Sequence, residues 1–205
     1  MANTNAAFGL KPYRMLGSGA NTNGDSVYSI QTSATAGSSN VIYQGSPVIP
    51  LSNGMIDIVG AAAGGTVPLL GVFLGCNYID LFGKPRFSPY WPGTSSVKAN
   101  TAATAIIVAN PDAVFSINCD AAAADTIIHN NANFSTATSG STTSGLSSAQ
   151  LAVSTAATTN TLNMRIIGFQ DTPNDADPTV AGRIAIVMLN NHFYRYGANG
   201  TGAGV

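Results

Sequence analysis

Acid–base or metal chemistry needs carboxylates, imidazoles or thiols held close together, and one carboxylate cluster stands out: Asp171, Asp175 and Asp177, within seven residues. An Asp-x-Asp pair in a loop can offer oxygen ligands to calcium. The turn glycine and the distal bidentate glutamate of a calcium loop are missing, and Asp or Asn beside Pro173 and Pro178 is a good turn former. The expectation is a polar turn. Catalysis by paired carboxylates is not expected either, because all three lie on one turn-like segment.

The remaining candidates are equally sparse. His129 and His192 are the only histidines, and neither has a second His or a Cys at ligand spacing. Asp125 stands four residues before His129, but a hydrogen-bonded polar loop accounts for that pair. His192 closes a strongly apolar run and is expected to be packed and hydrogen-bonded. Cys76 and Cys119 lack Cys-x-x-Cys spacing and are expected as two reduced, buried thiols, since free cysteine packs as a small hydrophobe. Gly60 to Gly65 and Gly17 to Gly19 lack the Lys-Ser/Thr of a phosphate loop, and there is no Gly-x-Ser-x-Gly elbow. No catalytic, cofactor-binding or metal-binding residue is assigned, and a non-enzymatic role is expected.

The composition explains why chemistry is so thinly represented. Only 8% of the 205 residues are charged, against roughly 25% in an ordinary globular protein, and no glutamate occurs anywhere. Ala, Thr, Ser, Gly and Asn take the places that Glu and Lys usually fill. Those small residues favour turns and sheet faces over long amphipathic helices. A surface this poor in charge has weak self-repulsion, as befits a subunit docked in an assembly. With a net charge of −1 and three lysines and five arginines scattered along the chain, there is no basic stripe for nucleic acid.

Met1 to Asn5 has no positive region leading into an apolar one, so no secretory signal is expected. The uncharged stretch from Ile58 to Ile79 contains Pro68, five glycines and Asn77, which argues for a loop running into a buried strand and against a membrane span.

The elements that remain are short. Residues 1–24 mix a few anchors with many chain breakers and read as an extended arm on which Phe8, Leu10 and Tyr13 either grip a partner or pack on the chain's own core. Residues 25–196 form a β-rich body, with two subdomains at about 25–95 and 96–196 as one possibility. Strand-length runs are Val27–Gln31, Val41–Tyr43, Val48–Leu51, Met55–Val59, Leu69–Leu74 and Cys76–Ile79, with Ser52-Asn53-Gly54 as a tight turn. Pro89 and Pro92 exclude a central strand around Ser88 to Gly93, leaving an edge or a rigid aromatic loop. Ile106–Val108 follows, then Val114–Cys119, where Phe115, Ile117 and Cys119 share one face and Ser116 and Asn118 the other. That alternation predicts a half-buried strand. Residues 135–160 are Ser/Thr/Ala/Gly-rich and predict an ordered surface excursion with one capped helical turn near Ser144–Leu151. Leu162–Phe169 and Ile184–Leu189 can pair as a hairpin across a long loop. The fold class is mainly β, a small barrel or sandwich with little helix. The tail 197–205 has little apolar surface to offset its ordering, so any order there would come from outside the chain.

The opening Met1 to Pro12, the run Gly71 to Cys76 continuing to Phe87–Gly93, and the closing Asn190-Asn191-His192 resemble a group of small structural proteins of tailed bacteriophages that accompany the head genes. The resemblance is spread over most of the chain and carries no catalytic signature. It implies a β-rich virion protein made in the host cytoplasm, a decoration or cement protein on the capsid exterior. Its partners would be the major capsid protein and copies of itself, often as a homotrimer, with no nucleic acid, membrane or cofactor. The interface would draw on Phe8, Leu10 and Tyr13 of the arm and on Phe87, Tyr90 and Trp91 of the aromatic loop, and deleting residues 1–23 should leave the β body folded. A tail-tube or head-fibre protein, or a secreted carbohydrate-binding module using Tyr90 and Trp91, is the alternative.

Overall fold

The computed structural model describes residues 3–16, 25–30, 32, 40–60, 67–173 and 175–195, so the expected tail, residues 197–205, and the end of the expected arm, residues 17–24, lie outside the described residues. In chain order the strands are β1 (Lys11–Met15), β2 (Asp25–Ile30), β3 (Pro47–Pro50), β4 (Ile56–Ile58), β5 (Gly71–Ile79), β6 (Pro85–Ser88), β7 (Ala103–Val108), β8 (Ala113–Asn118), β9 (Asn131–Ser135), β10 (Gln150–Ala157), β11 (Met164–Phe169) and β12 (Ile184–Leu189). Two single 3₁₀ turns, Thr94–Ser96 and Asp125–Ile127, are the only helical features among the described residues. The mainly β class follows from this, as the shortage of helix formers dictates.

The strands form two antiparallel six-stranded sheets, consistent with a β-sandwich. One runs β1-β8-β12-β11-β9-β10; the other runs β2-β7-β5-β3-β4, with β6 also paired to β5. The chain passes from the second sheet to the first between Val108 and Ala113, while β1 reaches into the first sheet from the N-terminal side. The first sheet curls until Cys119, just past β8, meets Leu151 of β10 in a parallel bridge.

Two apolar clusters hold the sheets. In the first, Val72 and Val108 of the second sheet pack with Phe115, Ile117 and Val187 of the first. In the second, Phe73 and Ile107, which alternate with those residues along β5 and β7, point the other way and meet Val48, Ile56 and Trp91. The centre of the second sheet is therefore covered on both faces, which is why its strands read as near-continuous apolar runs. Leu69–Leu74 and Cys76–Ile79, two runs in the sequence, belong largely to one strand, β5, whose register shifts between Phe73 and Gly75.

Three expectations change. β8 is buried on both faces, not one: Ser116 and Asn118 are covered as thoroughly as Phe115 and Ile117. The cover is the N-terminal segment, for Ser116 Oγ donates to the Lys11 carbonyl and Asn118 Nδ2 to those of Thr4 and Gly182. The segment is extended, but residues 3–16 lie along the chain's own first sheet. Second, residues 135–160 hold no helical turn; Gly145, with φ +75°, turns the chain and Gln150–Ala157 is a strand. Third, Val41–Tyr43 is no ladder strand but a bridge in which Ile42 pairs with Trp91.

Both cysteines are free and buried. Burial pushes each thiol up to about 12, so neither is a thiolate at neutral pH. Native protein is expected to leave both unlabelled by a thiol-reactive disulfide reagent over an hour and to react with two equivalents once unfolded; fast native labelling would contradict the burial.

Candidate interaction surface

Three of the four most exposed large apolar side chains among the described residues lie on the β5–β6 hairpin. Phe82 is 87% exposed and Leu81 62%, side by side in its turn, and Phe87 on β6 is 68% exposed. A turn that presents two bulky apolar groups to water must be held by other means, and here Asp80 does so. Its Oδ1 accepts the N–H groups of Phe82 (3.0 Å) and Lys84 (2.9 Å), while Oδ2 accepts Arg86 Nε at 2.9 Å. Asp80 and Lys84 also pair through their backbones, and Gly83 N–H returns to the Asp80 carbonyl. These hydrogen bonds, the one from Lys84 foremost and then that from Arg86, hold the carboxyl below its ordinary range. The result is a stiff pedestal with an apolar tip.

Phe87 belongs to a wider face. It pairs with Asn77, which pairs with Thr104, which pairs with Ser29; in the next row Gly75 pairs with Ile106 and Ile106 with Val27. Residues opposite each other in a ladder share a face, so Phe87, Ile106 and Val27 lie on one side of the second sheet among small uncharged side chains. Val27 is 70% exposed. No charged side chain stands in either row.

The six sequence-predicted interface residues are not brought together. Phe87 points outward, as does about half of Tyr13 on the edge strand β1. Trp91 is fully buried, edge-on to Tyr78 with ring centroids 5.7 Å apart, and presents no surface to a partner. Its backbone N–H and carbonyl both pair with Ile42, so the proline-flanked loop is tied inward. Tyr90 is half-buried and stacks on Tyr43. Leu10 is likewise buried, with the half-buried Phe8 close by; the two help to line a half-open cavity of about 440 Å³, with Leu74, Leu146 and Ile184 on its other walls. For these two arm residues, packing on the chain's own body is what is found.

The residues with chemical potential are engaged structurally. Asp171 takes a two-point contact from Arg183, Asp175 accepts the Thr4 N–H, and Asp177 accepts both the N–H and the hydroxyl of Thr179. Asp125 pairs with Arg183 at 2.7 Å. Among the described residues no group of three His, Cys, Asp or Glu could hold a metal ion, and no helix is long and apolar enough to cross a membrane.

Comparison with known proteins adds no relative. No family model, no curated protein and no solved structure matches the chain. The functional reading therefore rests on its own residues.

Sequence reasoning missed Leu81 and Phe82. The signal was present: Asp80-Leu81-Phe82-Gly83-Lys84 has the Asp and Gly of a tight turn around two residues that turns do not favour. Large apolar groups in a well-formed turn have no core to face.

Proposed function

We propose that this chain is a non-enzymatic structural protein of a tailed-bacteriophage virion, docking on the outer capsid surface and stabilising contacts between capsomers. The observation that carries the docking role is the Leu81–Phe82 tip on its Asp80-braced hairpin. Aromatic and aliphatic side chains of this kind serve as anchors that fill pockets on a partner. Because the hairpin is already ordered, little conformational entropy is lost on docking. The low charge of the chain supports a life within an assembly, and the sequence resemblance to head-associated phage proteins supports the capsid as the partner. Each contact is modest, but repetition over a symmetric shell multiplies it.

The double variant Leu81→Ser, Phe82→Ser tests this reading. Both side chains are exposed, so stability should stay within about 1 kcal/mol of the parent. Binding to capsid shells that lack the protein should weaken by roughly 100-fold or more, as for the loss of two anchor residues. Unchanged occupancy by a folded variant would remove the hairpin from the interface.

A further inference from the structure

We propose that Asn191–Arg195 is an acid-opened latch: protonation of His192 drives the imidazole out of its buried seat and releases this segment from the strands it joins.

The segment is held at four points. Leu69 donates its N–H to the Asn191 carbonyl and accepts the N–H of Phe193, both at 2.8 Å. The Phe193 ring packs on the second apolar cluster. The hydroxyls of Tyr194 and Tyr28 are 2.7 Å apart, and Arg195 is ion-paired with Asp112 in the β7–β8 turn. His192 sits in the middle, 1% exposed.

Its hydrogen bonding fixes the proton. Nδ1 accepts the Tyr194 N–H at 3.1 Å, so the neutral ring carries its hydrogen on Nε2, which finds no acceptor among the described residues. A second proton can go only to Nδ1. There it would face the Tyr194 N–H, donor against donor, and leave a buried cation with neither nitrogen paired. The charged groups facing the ring are Arg195, from its own segment, and Asp112, from the β7–β8 turn; Tyr194 lies against it with ring centroids 5.9 Å apart.

Burial, reinforced by the Arg195 cation and partly opposed by Asp112, lowers the imidazole from 6.5 to about 4. Because the docked state has the depressed value, the latch is fully closed above pH 6.5 and loses stability as pH falls towards 4, below which the loss levels off. In that window opening is favoured by about tenfold per pH unit.

Hydrogen exchange, corrected for the intrinsic pH dependence of exchange, tests the latch. Protection of the Leu69 and Phe193 amides should fall by about tenfold per unit between pH 6.5 and 4, while the Ile117 amide in β8 keeps its protection. In His192→Gln the Leu69 and Phe193 protection should be flat with pH. Constant protection in the parent, an equal fall at Ile117, or an unaltered fall in the variant would each overturn the proposal. Should His192→Gln fail to fold, an NMR titration of the parent's ring decides: a midpoint well below 6 supports the latch, and one near 6.5 overturns it.

Discussion

A chain lacking residues 1–16 is expected to lose most of its stability, and Leu10→Ala alone should cost about 2–5 kcal/mol, as for other fully buried leucines. For a chain of this size that is a fall of roughly 5–15 °C in Tm. The expectation reverses what the sequence suggests, namely that the β body would fold without its arm. Leu10 is 1% exposed, its N–H donates to the Gly45 carbonyl, and β1 closes the edge of the first sheet against β8. The crossing at this point admits no side chain: a Cβ on Gly9, itself at φ +73°, would lie 2.8 Å from the Gly45 carbonyl oxygen and from Ser147 Cβ. Further along, Asn3 bonds to the Asp177 backbone, Thr4 to Asp175, and Asn5 accepts from Gln150. Thermal unfolding of the truncated chain and of Leu10→Ala checks this. A truncated chain with the parent's Tm would mean that the segment is a detachable arm after all.

Arg183→Met is expected to destabilise by about 3 kcal/mol, because the guanidinium organises two loops at once. Arg183 is buried, donates to Asp171 through Nε and Nη2 and to the Ala123 carbonyl and Asp125 through Nη1, and lies 3.8 Å from the Phe169 ring centroid. Both carboxylates remain partly in water, which limits what each pair contributes. The larger share comes from the buried bond to Ala123, the ring contact and the volume the side chain fills. Arg183→Lys should lose at least half as much, since an ammonium cannot reproduce the fork. Urea unfolding reads both variants, and changes below about 0.5 kcal/mol would show the node to be dispensable.

The strands that could be read from the sequence are those whose apolar residues are large. Val27–Gln31, Val48–Leu51 and the pair around Leu162–Phe169 and Ile184–Leu189 announce themselves by β-branched runs, and Pro89 and Pro92 mark the loop that follows β6. β9 and β10 do not, because small or polar residues, Asn131, Ala132 and Ala152, bury there beside Leu151, and they give almost no period-two signal. The double burial of β8 was hidden for a different reason. Ser116 and Asn118 read as solvent-facing, and only a segment about a hundred residues away in the chain makes them otherwise. The same distinction governs the interface. Phe87 was legible as an aromatic on an edge, whereas the burial of Trp91 depends on Ile42 and Tyr78, contacts that local pattern does not contain.

The docking reading is tested most directly by co-sedimentation of the purified chain with capsid shells that lack it, the parent and the Leu81→Ser, Phe82→Ser variant side by side. The parent should pellet with the shells at a saturating, symmetry-related stoichiometry, and the variant should stay in the supernatant while remaining folded. A parent chain that stays in the supernatant would contradict the capsid role; a folded variant that pellets like the parent would leave the hairpin without it.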